Sequence, residues 1–150
     1  MIGSILVLAV SLILFLYWFR YTCLLILSAR PAKDYAGQVA QANQLGFPAV
    51  RDELRGAAAP ANLATLEASL ERDFRLLNYL MRHAAEVPLG GLALEERILA
   101  VDYRIMKVWY MLTRPIAASQ AREALSEMSD IVAHFANVMG ERQAVPVTAR

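Results

Sequence analysis

Residues 2–19 read Ile-Gly-Ser-Ile-Leu-Val-Leu-Ala-Val-Ser-Leu-Ile-Leu-Phe-Leu-Tyr-Trp-Phe and carry no charged side chain. A run of about 18 or more apolar residues is the signature of a membrane-spanning helix. At about 1.5 Å per residue the run covers roughly 27 Å, close to the hydrocarbon thickness of a bilayer. No water reaches that slab, so every backbone N–H and C=O must bond within the segment, and a lone span must be helical. A secretory leader would show a basic start and a shorter core of about 7–15 residues. Here no basic side chain precedes the core and the core is longer, so residues 1–29 are expected to remain as an anchor.

Arg20 interrupts the apolar run, among Tyr17, Trp18, Phe19 and Tyr21. Amphipathic aromatics gather at membrane–water boundaries, and Arg extends to headgroups there. Tyr17, Trp18, Arg20 and Tyr21 are therefore the expected interface residues, with membrane lipid as a partner. Apolar character resumes over Leu24–Leu27, before Arg30 and Pro31. Two placements satisfy this pattern: the span continues to Leu27, or it emerges near Arg20 and its last turns rest in the headgroups. Arg20 itself either snorkels or pairs with another chain. The positive charges, Arg20, Arg30 and Lys33, all follow the apolar run. Positive flanks stay cytoplasmic, so the expected placement is a cell (inner) membrane with the N-terminus outside and the remaining chain cytoplasmic.

The chain has 150 residues, 57% of them hydrophobic and 19% charged, against about 45–50% and 25% in soluble domains. The net charge of +1 gives no global field for nucleic acid or acidic substrates. The single cysteine, Cys23, cannot close an intramolecular disulfide. It lies in the apolar segment, as a small hydrophobe or as an acylation site.

Beyond residue 30 the spacing predicts helices alone. Asp34 can cap a helix over Tyr35–Leu45, stopped by Gly46 and Pro48. Pro48 opens a short helix to Leu54, and Gly56–Pro60 reads as a linker. Residues 30–60 are thus expected to be connectors lying near the membrane surface. Asn62 caps a long helix to Val87, with Leu63, Leu66, Leu70, Leu77, Leu80 and Ala84 in steps of three and four. Val87–Gly91 reads as a loop. A helix over Leu94–Thr113 follows, and Pro115 opens a last one that Gly140 ends. In that last helix Glu123, Glu127, Asp130 and Asn137 form the polar side. The fold class is all-α: one N-terminal transmembrane helix, then a small antiparallel bundle of about three long helices over residues 61–140, and a mobile tail over 141–150.

The Leu94–Thr113 helix has two apolar stripes. One is Leu94, Ile98, Val101, Ile105, Val108 and Leu112; the other is Leu99, Tyr103, Met106 and Tyr110, with Asp102 and Trp109 in the sector between. One stripe is enough to join a bundle, so this helix is either central or touches something beyond its bundle mates. Aromatics and Met are enriched in interface cores. Leu99, Asp102, Tyr103, Met106, Trp109 and Tyr110 are accordingly the expected partner contacts, the first stripe being the core. Asp73 and Asp102 fall beside apolar positions and must be paired if buried, Arg72, Arg75 and Arg104 being the nearest cations in sequence.

No catalytic pattern is legible. His83 and His134 lie on separate helices, Asp130 standing one turn before His134 as a surface pair. Gly90-Gly91 lacks the phosphate-loop pattern. Glu95-Glu96 suits the first turn of a helix. No cofactor, metal, nucleic acid or small-molecule substrate is expected. The expected function is a non-catalytic single-pass accessory subunit of a larger membrane complex; the alternative is a self-associating membrane-anchored scaffold or signalling adaptor.

Overall fold

A computed structural model of the chain describes residues 1–29, 31–56, 62–83 and 93–144. Among them are six helices and no strand: α1 (Ile2–Ser28), α2 (Ala36–Asn43), α3 (Phe47–Arg55), α4 (Leu63–His83), α5 (Leu94–Thr113) and α6 (Ala118–Ala144). They form two compact units, Met1–Arg30 and Pro31–Arg150.

α1 runs unbroken for 27 residues, straight through Arg20. That is roughly 40 Å at about 1.5 Å per residue. Among the described residues it is the one helix long and apolar enough to cross a membrane. Two of its hydroxyls are satisfied internally: Thr22 Oγ1 donates to the Trp18 carbonyl and Ser28 Oγ to the Leu25 carbonyl, both at 2.9 Å. Such back-bonding removes the hydroxyl donors from competition with the surroundings. The helix ends where Ala29 turns to ψ 120°, two residues before Pro31, which has no N–H to continue it.

In the second unit α6 is the centre. It packs on α2, α3, α4 and α5. Thirteen of its residues are buried, against seven in α5 and six in α4. Five of the thirteen are Ala121, Ala124, Ala133, Ala136 and Gly140. Small side chains let neighbouring backbones come close on several sides at once. The central place that two apolar stripes suggested for α5 therefore belongs to α6, whose alanines carry little hydropathy signal.

The long helices alternate in direction. Glu96 at the start of α5 meets Arg142 near the end of α6 at 2.5 Å. Tyr103 of α5 stacks on Phe74 of α4 with ring centroids 3.8 Å apart, and one turn later Lys107 reaches back to Glu71 and Glu67 at 3.0 and 3.4 Å. Pro115 lies in the α5–α6 turn rather than opening α6, which starts at Ala118. The loop expected over Val87–Gly91 and the end of the preceding helix lie outside the described residues, as does most of the tail; Glu141–Ala144 continues α6.

Residues 31–56 are more than connectors. Ala36, Val39, Ala40, Phe47, Val50 and Leu54 are buried, and both short helices seat on α6. A helix of nine residues is marginal by itself, and α3 is held at both ends. At its start the Phe47 N–H donates to Asp73 Oδ2 at 2.7 Å. At its end Arg122 of α6 donates to the carbonyls of Leu54 (2.5 and 3.0 Å) and Gly56 (2.6 Å). A carboxylate at the N-terminus and a guanidinium at the C-terminus both suit the helix dipole. In its middle Arg51 pairs with Asp130 at 2.6 Å. α2 begins where Asp34 Oδ1 accepts from the Ala36 N–H, and the Tyr35 N–H donates to Asn137 Oδ1 of α6 at 2.7 Å.

Gly140 does not end α6. The helix passes through it, and a Cβ there would collide with Tyr35 Cβ and lie 3.2 Å from Val39 Cγ2. Its bare backbone is the seat for α2. Gly140→Ala should therefore destabilise the domain by about 1–3 kcal/mol, the range for overpacking. Thermal unfolding of the detergent-solubilised chain by circular dichroism would show it as a lowered midpoint; an unchanged midpoint would contradict this seating.

Candidate functional site

The two stripes of α5 are placed the opposite way from the sequence reading. Leu99, Asp102, Tyr103, Met106 and Tyr110 are buried inside the bundle. Leu94, Val101, Val108 and Leu112 are exposed, at 73, 49, 56 and 60%, with Ile98 and Ile105 half-buried between them. Of the six expected contact residues only Trp109 stands on the open side, together with Met111.

The physical reason is reach. The α4 and α5 backbones do not approach closely, and long side chains fill the gap. Tyr103 supplies a ring against Phe74, which in turn tilts against Phe135 of α6 at 5.7 Å. The Tyr103 hydroxyl donates to Glu71 Oε2 at 3.4 Å. Periodicity shows that α5 has two apolar faces, but side-chain length decides which one faces the bundle.

Charge is organised around the same gap. Burial would raise the Glu71 carboxyl, but hydrogen bonds from Lys107 and Arg75 outweigh it and hold it below the usual carboxylate range. Burial, with the negative charges of Glu71 and Glu67, pushes the Tyr103 hydroxyl upward, so it stays a neutral donor. The Tyr110 hydroxyl is buried and has no hydrogen-bond partner among the described residues. Asp102 is fully enclosed.

Asp73 is 2% exposed, and its partner is a helix end rather than an arginine. Burial raises its carboxyl above the ordinary value of 3.8, against the opposing pull of the Phe47 and Gly46 N–H groups and of the Arg72 charge. Close approach makes the contact: a Cβ on Gly46 would lie 2.5 Å from Ser69 Oγ. Arg75 goes to Glu71 at 2.7 Å. Asp130 is taken by Arg51, not by His134. His134 is half-buried; burial lowers its imidazole, opposed by Glu95, Glu96 and Glu141. Among the described residues no three His, Cys, Asp or Glu side chains gather as a metal-binding group.

Two of the residues expected on the polar side of α6, Asp130 and Asn137, hold other helices. Arg122, Asp130 and Asn137 are spaced eight and seven residues apart, two helical turns each, so they share a face, and that face holds α2 and α3. The spacing was a legible sign of one functional face. What it could not show was the backbone partners.

In α1 the expected interface residues Tyr17, Trp18, Arg20 and Tyr21 stand together on one continuous helix. Trp18 meets Tyr17 and Tyr21 edge-on, at centroid distances of 6.4 and 6.0 Å.

No protein-family model, curated protein or solved structure matches the chain.

Substitutions should separate the faces of α5. Tyr103→Ala should cost about 3–5 kcal/mol of stability, as for other large buried aromatics. Val101→Ala and Val108→Ala should each stay within about 0.5 kcal/mol in the dissociated protein. Urea unfolding measures both; equal losses at the three positions would contradict the assignment. Asp73 adds a pH signature. The folded chain holds its proton more tightly than the unfolded chain does. That contribution is complete below the ordinary value of 3.8 and is lost as pH rises through the raised folded value. Asp73→Asn keeps an acceptor and does not titrate. The stability of the parent minus that of Asp73→Asn should therefore fall as pH rises above the ordinary value of 3.8, whereas a difference that rose with pH would reverse the sign argued here.

Proposed function

We propose that the chain is a non-catalytic, single-pass accessory subunit: α1 holds it in a membrane, and its helical domain docks into a larger membrane protein complex. The observation that carries this reading is the outer face of α5. Its bundle-facing side is complete without Leu94, Val101, Val108 and Leu112, yet these remain exposed and aligned along the whole helix. Contiguous apolar surface beside aromatic and cationic side chains is the composition of a docking face. Trp109, Arg97 and Arg104, all exposed, supply those flanks. Docking, not catalysis, is what such a surface does.

The membrane side of the proposal rests on α1. Tyr17, Trp18, Arg20 and Tyr21 would mark the boundary with water, in contact with lipid headgroups. Arg20, Arg30 and Lys33 follow the apolar run, which supports a helical domain on the cytoplasmic side of a cell (inner) membrane.

Affinity purification from native membranes in mild detergent, followed by native mass measurement, tests the reading. The expected result is an assembly containing other proteins at fixed stoichiometry. Val101→Asp/Val108→Asp should lower recovery of that assembly more than tenfold, since each buried, unpaired carboxylate costs several kcal/mol, while leaving membrane anchoring intact. A chain recovered alone from native membranes would overturn the proposal.

A further inference from the structure

Three of the exposed apolar residues of α5, Leu94, Val101 and Val108, stand seven apart, and three positions after each comes another exposed side chain: Arg97, Arg104 and Met111. At about 100° per residue the second column lies about 60° round the helix from the first. The open side of α5 is thus an aliphatic column with two cations and a methionine along one edge. Arg97 and Arg104 are about 10 Å apart along the axis. The ion pairs formed among the described residues engage Arg51, Arg75, Lys107 and Arg142, and neither Arg97 nor Arg104. Downstream of Glu96 their own helix offers no exposed carboxylate: up to Glu123 the one acidic residue is Asp102, which is fully enclosed.

We propose that the segment of the host complex covering this side of α5 is an apolar helix with carboxylates along one edge, two turns apart, seated so that its acidic edge meets Arg97 and Arg104. The inference rests on the reading of the α5 outer face as a docking surface, and it adds the chemistry of what docks there.

Charge complementarity is the argument. In the separate chain both arginines are hydrated. A chain that covers the adjacent valines strips part of that water, so it has to bring an anion close by. A packed protein helix repeats its contacts every seven residues, the interval at which Leu94, Val101 and Val108 recur, and likewise Arg97 and Arg104. A layer of anionic headgroups would meet both edges of the aliphatic column alike. The other edge carries Glu95 and Trp109 and no cation. A cationic edge on one side only fits a partner that is acidic on one side only.

Arg97→Lys/Arg104→Lys in the full-length chain keeps both charges and introduces amines, which a carbodiimide joins to a touching carboxylate as an amide with loss of water. In native membranes the amines at 97 and 104 should link to Asp or Glu side chains of another protein of the assembly, identified by mass spectrometry. The link between Lys107 and Glu71 within the chain serves as the internal standard. Arg97→Glu/Arg104→Glu should lower recovery of the assembly about tenfold at low salt, because like charges then face each other. Formation of the internal link without any link from positions 97 and 104, with Val101→Asp/Val108→Asp still lowering recovery, would overturn this inference and leave the docking reading intact. Loss of recovery on charge reversal without a coupled protein carboxylate would place anionic headgroups on this edge and overturn it as well. If neither pair of substitutions lowers recovery, both readings fall.

Discussion

α6 can lie among four other helices because much of its surface is Ala and Gly, and because its polar side chains end on other helices. Each neighbour is seated by a different device. α2 rests against the bare backbone of Gly140, and the N–H of Tyr35 just before it donates to Asn137 Oδ1. α3 is clasped between Asp73 and Arg122, charges of the sign its two ends favour. α4 reaches it through Phe74 against Phe135, and α5 through Glu96 paired with Arg142. These contacts are interdependent: loss of the α6 axis would leave two helices of eight and nine residues, too short to persist alone.

The same constraint fixes what is left over. α6 and α4 are satisfied by one side of α5, the side with Tyr103, Met106 and Tyr110. On the other side Leu94, Val101, Val108 and Leu112 stay exposed among the described residues, with Ile98 and Ile105 half-buried. Exposed apolar residues scattered singly are ordinary in soluble proteins; a stripe running the length of a helix is not. α5 and α1 each carry exposed apolar side chains among the described residues, and the proposed function builds on that shared property.

Much of this architecture is legible in the sequence. The long apolar helix α1 follows from uninterrupted apolar length, and α5 from periodicity at the positions found. Asn62 accepts from the Ala64 N–H, as a cap should. What could not be read were choices among equivalent patterns. Two stripes on α5 are alike in period, and only the distance between α4 and α5 selects the aromatic one for the interior. Ala and Gly on α6 hardly register in hydropathy, so its centrality was hidden. Gly140 looks like a terminator because glycine often ends helices, yet here close packing requires it. Asp73 had cations near it in sequence, but folding brought it the N–H groups of α3 instead.

Hydroxyl-radical footprinting read by mass spectrometry tests most directly whether α5 has one side for its own core and one for other chains. It would be applied to the assembly in mild detergent and to the dissociated chain. Tyr103 and Met106 should oxidise slowly in both states. Trp109 and Met111 should oxidise rapidly in the dissociated chain and be protected in the assembly. Met106 oxidising as fast as Met111 in the dissociated chain, or Trp109 and Met111 equally reactive in both states, would contradict the account.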